Sequence, residues 1–321
     1  MTQVGNTSEA GQPGKSGASV GADRWRVLPG WAVFVASGVA FWVVGYLPWI
    51  VEGMHVEVSS AWPRFDTLKG PVVGLPFGEY AFQALLVGGV IGGAAALAVS
   101  RLASPGVRFP RAIASTGAVI ALVAALGQTL VTVRPALVDT DEARLLIGAL
   151  ILTSLGSGLL GVVVGAGVAR AKGWPWLLGG AMVASLLGPW LVDVIARNPA
   201  DDPQWLMRIA RWHPWVGGIA LGVVLAVFGY RPAARLVGWL VALAIAWVLP
   251  SALTAMSYVT YYGKQGTLSR DRILEVADAG RDVFVQSLQP SNHHIGPLVL
   301  AVVIGIAGAT SKLRGATDLP A

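Results

Sequence analysis

Apolar runs of about 20 residues recur along this chain, and they restrict its fold more than any other feature. A helix of that length crosses the hydrocarbon core of a bilayer, which is about 30 Å thick. Lipid offers no partners to backbone amides and carbonyls, so a spanning run satisfies them within a helix. A transmembrane barrel needs alternating segments of about 10 residues, which the sequence lacks. The sequence therefore predicts an all-α polytopic membrane protein.

Eight such segments can be delimited, and the charges between them predict their orientation. They cover about residues 30–51, 80–100, 111–133, 145–169, 174–195, 214–230, 235–258 and 295–311. With both termini in the cytoplasm, the inner tails and connections contain 12 of the 23 Lys and Arg residues but three of the 17 acids. Short cytoplasmic connections rich in Lys and Arg set membrane topology. We expect eight transmembrane helices in the plasma membrane, the inner membrane of a bacterial cell, with both termini cytoplasmic.

Short phrases recur between the two halves of the chain. Residues 48–52, PWIVE, close segment one, and residues 189–193, PWLVD, close segment five. Further matches join segment two to six and segment four to eight: LLVGGVIGG (85–93) with WVGGIALG (215–222), and GVVVGAGVARAKG (161–173) with VVIGIAGATSKLRG (302–315). Four helices per copy keep both copies in one orientation, with the pseudo-twofold axis along the membrane normal. We predict a parallel 4+4 helix repeat, although short phrases of this kind also arise in unrelated membrane helices.

This repeat gives the domain organisation. Residues 1–28 are rich in Gly, Ser and Thr and are predicted to form a disordered cytoplasmic tail. Residues 29–169 form the first membrane half and residues 170–315 the second, followed by a cytoplasmic tail at 316–321. Glycines spaced four residues apart let helix backbones approach closely. Three such pairs predict close packing: Gly88 and Gly92, Gly89 and Gly93, Gly161 and Gly165.

Two outer connections carry helical patterns. Asp202-Pro203 is a typical helix start, and Trp205, Ile209 and Trp212 then share one face of a predicted short helix in the headgroup layer. Ser269 is placed to cap an amphipathic helix over about 270–289. The charges of that helix sum to −1, whereas helices that bind anionic lipid are basic. We therefore expect it to pack on protein, as a lid or as the docking surface of a protein partner.

Most familiar chemistry is excluded by the residues that are missing. The chain has no cysteine, no Walker A sequence, no dinucleotide-binding loop and no HExxH pair. No ionisable residue lies at the middle of a predicted helix, which argues against an ion-coupled carrier. Pro250 in segment seven either kinks the helix or opens backbone carbonyls to a solute. The net charge of +6 follows from the basic inner loops, so we expect no nucleic-acid partner and no cofactor, and an enzyme is disfavoured.

The candidate site residues lie at the ends of the predicted helices. Five are candidates for substrate or interface contact: Glu52, Asp193, Gln128, Trp49 and Trp190. Imidazole ligands at one level can also bind a metal ion, which singles out four histidines, although solvation in outer loops explains them equally well: His55, His213, His293 and His294. Glu52 and Asp193 occupy matching repeat positions, but the sequence does not say whether they meet.

Three functions are compatible with these features. The first is a permease or permease subunit whose halves surround a path for an apolar or lipid-like solute without ion coupling. The second is a non-catalytic subunit or scaffold of an envelope complex, with a protein partner at the outer loops or at the helix 270–289. The third is an outer-leaflet enzyme that uses the His, Asp and Glu layer. We favour transport, with membrane lipid as the surrounding partner.

Overall fold

The computed structural model describes residues 27–56, 70–78, 81–195, 203–263 and 270–317, and within these ranges the regular structure is helical. The helices are α1 (Gly30–Gly45), α2 (Leu47–Glu52), α3 (Phe82–Val99), α4 (Pro110–Val133), α5 (Asp141–Ala169), α6 (Gly173–Ile195), α7 (Pro203–Phe228), α8 (Arg235–Gly263), α9 (Arg270–Ser287) and α10 (Ile295–Thr317). Each of the eight predicted apolar segments is helical, and the predicted amphipathic helix is α9. Most of the predicted tails, at 1–26 and 318–321, lie outside the described residues.

Six helical spans are long and apolar enough to cross a membrane. They are Phe82–Leu102, Pro110–Ala136, Asp141–Ala169, Gly173–Ile195, Arg211–Phe228 and Arg235–Tyr262. Two shorter apolar helices accompany them, Gly30–Gly45 and Ile295–Ser311. By length and composition, the helices are therefore compatible with a multi-pass membrane protein.

Two elements differ from the predicted boundaries. Segment one is not a single helix, because the chain leaves helical geometry at Tyr46 (φ −107°, ψ 24°) and resumes as α2. Pro48 lacks the amide that would bond the carbonyl of Val44, which explains the break at that point. The short helix predicted after Asp202 is not separate either. It begins at Pro203, as predicted, but continues without interruption through Pro214 to Phe228.

The helices of each half, counted in order and leaving out α2 and α9, pack in a similar pattern: the second packs on the fourth, and the first packs on the second and third. In the first half, α3 packs on α5, and α1 packs on α3 and α4. In the second half, α7 packs on α10, and α6 packs on α7 and α8. The predicted glycine contacts are confirmed in the first half. A Cβ added to Gly93 would overlap the backbone of Gly161, and one added to Gly92 would overlap the carbonyl of Phe41.

The non-helical segment 70–78 is buried against the first half. Val73, Leu75 and Phe77 are each at most 1% exposed and belong to the apolar core of α1, α3, α4 and α5. One edge of the segment pairs with residues 54–56, where the Val56 amide donates to Pro71 (3.1 Å) and the Val73 amide to Met54 (2.9 Å). Non-helical backbone at such depth has to be bonded by protein or water. Neighbouring side chains therefore have to form hydrogen bonds with the remaining polar groups of the segment.

The halves meet along α6, which packs on α5, α3 and α2. Apolar side chains from both halves form one core there: Val87, Val90, Ile91, Val164, Leu186 and Leu253. The junction is thus a packed interface over the residues that the structure describes.

Candidate functional site

Four of the five substrate or interface candidates lie at the junction of α2 and α6. The charges of Glu52 and Asp193 are close enough to interact, and both side chains are exposed. The Trp190 indole donates to the carbonyls of Val44 (3.1 Å) and Gly45 (3.3 Å), at the break between α1 and α2. The sequence did not show whether the two acids meet, and the structure places them within electrostatic range of each other.

The junction leaves little space for a solute. Trp49, Trp190 and Asp193 line a cavity of about 20 Å³ between the halves. That volume holds about one water molecule. The transport hypothesis placed a path between the halves, whereas the cavity that these residues line is too small for an organic solute.

Trp49 and Gln128 bind the buried segment 70–78. The Gln128 amide accepts from the Gly74 amide (2.7 Å) and donates to the Val72 carbonyl (3.1 Å). The Trp49 indole donates to Val73 (3.1 Å). Two further side chains complete this binding, because Trp42 donates to the Gly74 carbonyl (2.8 Å) and Thr129 accepts from the Leu75 amide (3.1 Å). The polar cluster at Gln128 therefore binds segment 70–78 of the same chain. The hydrogen-bonding groups of the cluster are occupied by this segment.

His55 also binds the buried segment 70–78. Its Nδ1 lies 2.7 Å from the carbonyl oxygen of Gly70, at the start of the buried segment. The residue itself faces Val72 in an isolated antiparallel bridge. The role of His55, which is to bind this segment, therefore differs from that of the other three histidines.

Those three histidines share a cavity of about 390 Å³ in the second half. Its wall is formed by α6, α7, α8, the turn after α9 and the start of α10: Ser185, Gly188, Pro189, His213, Pro214, Gly217, Gly218, Leu221, Ala246, Pro250, Ser251, Thr254, Ser287, Asn292, His293, His294, Pro297 and Leu298. The volume lies in the range of small-molecule sites. None of these described lining residues is Asp, Glu, Lys or Arg. The cavity is therefore mainly apolar, with neutral hydrogen-bonding groups and three imidazoles.

Three of the helices that line the cavity contain a proline within the helix. Pro189 lies inside α6, Pro214 inside α7 and Pro250 inside α8. A proline within a helix removes the donor to the carbonyl four residues earlier. For Pro189 and Pro250 those carbonyls belong to Ser185 and Ala246, and both residues line the cavity. Backbone acceptors without their helical donor thus lie at the wall.

His293 is held in place by α8. Its ring stacks on the Trp247 indole with centroids 4.0 Å apart and planes inclined by 26°. Its Nε2 lies 3.2 Å from Ser251 Oγ, and Ser251 is 2% exposed. The Ser251 hydroxyl donates to the Ser287 carbonyl (3.1 Å), so we assign the donor role to His293 Nε2 and the acceptor role to Ser251. The geometry leaves Nδ1 as the hydrogen-bond acceptor of the neutral ring.

Burial lowers the pKa of His293, and the neighbouring His294 lowers this pKa further. The hydrogen bond to the Ser287 backbone acts in the opposite direction. Because an unperturbed histidine has a pKa of about 6.5, His293 is neutral at pH 7. The cavity then offers neutral donors and acceptors in place of a charge.

The histidines do not form a ready metal centre. Over the described part of the chain, no three His, Asp or Glu side chains are grouped as metal ligands. His293 Nε2 is engaged with Ser251, and His213 also has an interaction of its own. Metal binding by His55, His213, His293 and His294 remains a prediction.

Trp247, Ser251 and Thr254 were not among the sequence candidates. Alone, none of them stands out in an apolar helix. The usable signal was the set of prolines inside three consecutive helices of the second half, Pro189, Pro214 and Pro250. On α6, α7 and α8, most of the residues that line the cavity lie within about one turn of these prolines.

The apolar stripe of α9 packs on α8 of the same chain. Val276 is 8% exposed, and a Cβ added to Gly280 would overlap the Val259 side chain of α8. Packing of this helix on protein, as predicted, is confirmed. Docking of a further protein on its remaining surface stays a prediction.

Comparison with protein-family models, with curated proteins and with solved structures finds no match to this chain. Functional conclusions therefore rest on the cavity, the packing and the sequence pattern.

Proposed function

We propose that this chain is a transport-type membrane protein whose solute-binding site is the cavity of the second half. The observation that carries the proposal is the meeting of three prolines, each within a helix, and three histidines at one cavity. A proline within a helix leaves a backbone carbonyl without its helical donor, and membrane transporters commonly bind their solutes at backbone groups that are freed from helical bonds. The absence of acids and strong bases from the described lining favours a carrier that is not coupled to ions.

The proposal includes eight transmembrane helices with both termini in the cytoplasm of the plasma membrane. The six long spans and two shorter apolar helices support the number, and the basic inner connections support the orientation. The chain has no cysteine, so single cysteines can report the side. We expect an impermeant maleimide added to intact cells to label Ser291→Cys, and to label Gly106→Cys only after the membrane is opened. Labelling of Gly106→Cys in intact cells would contradict this orientation.

A parallel 4+4 repeat is part of the proposal, and equivalent glycine contacts support it. The aligned pairs are Gly88 with Gly217, and Gly89 with Gly218. Gly88 faces α1 and Gly217 faces α6, the first helix of each half. Gly89 faces α5 and Gly218 faces α10, the last helix of each half.

The same alignment explains why the site lies in the second half. It matches Pro48 with Pro189 and Ala84 with His213. Pro48 and Ala84 line the cavity of about 20 Å³, and Pro189 and His213 line the one of about 390 Å³. Pro76 of the buried segment also lines the smaller cavity. We infer that segment 70–78 fills, in the first half, the space that the second half leaves open.

The lining indicates an uncharged amphiphile as the solute. Much of the wall is apolar, whereas the side chains of Ser251, Thr254 and His293 offer hydrogen bonds. A cation would find no carboxylate among the described lining residues. The hydroxyl and imidazole protons of these side chains are used within the protein, so hydroxyl groups on the solute can donate to the acceptor positions that remain.

A cavity-filling substitution tests this function. Thr254→Phe fills the cavity, and Thr116→Phe is its matched control. Both threonines are exposed and bond the carbonyl four residues earlier at 3.0 Å, but Thr116 lies on α4 away from the cavity. In proteoliposomes containing an alkyl glucoside with an NBD group on its chain, dithionite quenching measures the transfer of the probe between leaflets.

We expect Thr254→Phe to slow protein-dependent transfer at least about fivefold, or about 1 kcal/mol at 25 °C, and Thr116→Phe to leave it unchanged. Equal rates in the two variants and the parent protein would overturn the proposal. Absence of transfer together with a stoichiometric copurified protein would favour the scaffold function.

A further inference from the structure

An apolar groove runs between α8 and α10, beside the cavity of the second half. Its volume is about 470 Å³. The lining residues are Leu243, Ala244, Trp247, Leu298, Val299, Val302 and Val303. Val299 and Val303 are each 55% exposed. In a protein that spans the membrane, such side chains face lipid tails.

Groove and cavity share part of their walls. Leu298 lines both of them. Trp247 lines the groove, while its ring stacks on His293, which lines the cavity. The two spaces are therefore adjacent, with the Trp247–His293 stack between them.

The groove also has a direction. Leu298 and Val303 are five residues apart on α10, which corresponds to about 8 Å at 1.5 Å per residue. The cavity borders the first turns of α10, and the groove continues from there toward the middle of that helix. On α8, Leu243 lies eight residues before Ser251 and is thus farther than Ser251 from the C-terminal end of that helix. The polar cavity therefore lies at the outer side of the groove, and the groove continues from it along α10 toward the middle of that helix.

The opening between α8 and α10 distinguishes the two halves. The equivalent helices of the first half, α4 and α5, pack closely on each other, whereas the backbones of α8 and α10 stay farther apart and the Trp239 ring of α8 reaches across to Gly305 of α10. The second half is therefore open on the side that faces lipid.

We propose that the cavity and the groove form one bipartite site for a single-chain membrane amphiphile, which enters laterally from the bilayer. Its uncharged polar head occupies the cavity near Ser251 and His293, and the first part of its chain lies in the groove against Trp247 and Val303. This inference rests on the proposed function. A head at the surface with a chain toward the membrane centre matches the orientation of any amphiphile in a bilayer.

Photo-crosslinking in lipid nanodiscs tests the site. The probe is an alkyl glucoside whose chain carries a diazirine, and peptide mapping identifies the labelled residues. Val303→Trp fills the groove. Val163→Trp is the matched control, because Val163 takes the place of Val303 when Gly165 is aligned with Gly305, and it is 68% exposed.

We expect labelling to concentrate at 243–247 and 298–303 and to fall when unlabelled alkyl glucoside is added in excess. Val303→Trp is expected to reduce this labelling at least about fivefold, and Val163→Trp to leave it unchanged. Labelling spread over all exposed helices and insensitive to competitor would overturn the inference. Unfolding temperatures of both variants serve as the folding control.

The inference and the proposed function fail in different ways. If Thr254→Phe slows probe transfer while Val303→Trp affects neither transfer nor labelling, the cavity remains the solute site and the bipartite site is wrong. If neither Thr254→Phe nor Val303→Trp has any effect, both proposals are wrong.

Discussion

The indole nitrogen of Trp190 in α6 lies 3.1 Å from the carbonyl oxygen of Val44, which is 146 residues earlier at the end of α1. In a continuous helix the amide of residue 48 would bond this carbonyl, but proline has no N–H. A side chain of the second half therefore satisfies an acceptor that Pro48 leaves open in the first half.

Trp190→Phe should lower the free energy of unfolding by about 1 kcal/mol, because it keeps an aromatic ring and removes the donor. Thermal unfolding in one detergent, compared with the parent protein, measures the loss.

Pro48→Ala provides the control, since alanine restores an amide that can bond the Val44 carbonyl. In the Pro48→Ala background, Trp190→Phe should lower the free energy of unfolding by only a small fraction of the amount that it does in the parent protein. An unchanged cost in the double-mutant cycle would show that the indole acts through packing and not through this hydrogen bond.

Gln128→Leu should release segment 70–78 locally. The substitution leaves the Gly74 amide and the Val72 carbonyl without their partner, at a cost of about 0.5–1.5 kcal/mol for each lost hydrogen bond. Hydrogen exchange at Gly74 and Leu75 should accelerate about tenfold or more. Thr116→Val, whose hydroxyl bonds only its own helix, should leave exchange there unchanged. Equal protection in the Gln128→Leu variant would argue that burial alone retains the segment.

Gly93→Ala should destabilise the first half strongly. The added Cβ would overlap the backbone of Gly161, so α3 and α5 have to separate. Overpacking of this kind costs about 1–3 kcal/mol or more. Gly156→Ala on α5 is the matched control, because its Cβ would have no atom within 4 Å, and it should be neutral or stabilising by up to about 1 kcal/mol. Similar unfolding temperatures for the two variants would contradict the packing described for α3 and α5.

Acidification should weaken the fold through His293. Its pKa is lowered by burial in the folded state, so the unfolded chain takes up a proton first as the pH falls through about 6.5. Stability is therefore retained above that pH and declines below it, until the folded-state pKa is also passed. Unfolding temperatures at pH 7.5 and 5.5 measure the decline.

His293→Gln isolates this contribution, because glutamine keeps a donor for Ser251 and does not titrate. His213 and His294 line the same cavity, so the measurement compares the variant with the parent protein. The variant should lose less stability between the two pH values. A loss equal to that of the parent protein would assign the effect to other groups.

Much of the helical framework could be predicted because it depends on local properties. Apolar length predicted the helices, and the Asp202-Pro203 pair predicted the residue at which α7 begins. Four-residue glycine spacing predicted that α3 and α5 pack closely on neighbouring helices, but not that they pack on each other. Each of these features is encoded within one or two turns of chain.

The cavity and the buried segment depend on distant partners. Pro48 could suggest a break near Val44, but no local pattern indicates that Trp190 supplies the missing donor. Segment 70–78 has no helical periodicity, and its position is determined by Trp42 and Gln128, which lie on two other helices. The three prolines of the second half indicate a site only when the folded structure shows that their helices converge.

The bond between Trp190 and Val44 also constrains biogenesis. At about 5–20 residues per second, roughly 7–30 s of translation separate the two residues. During that interval the end of α1 is already synthesised, whereas its donor still has to emerge from the ribosome. The first half therefore remains immature at its helix break until α6 has been inserted, and nascent chains truncated before Trp190 should be the ones that membrane quality control recognises.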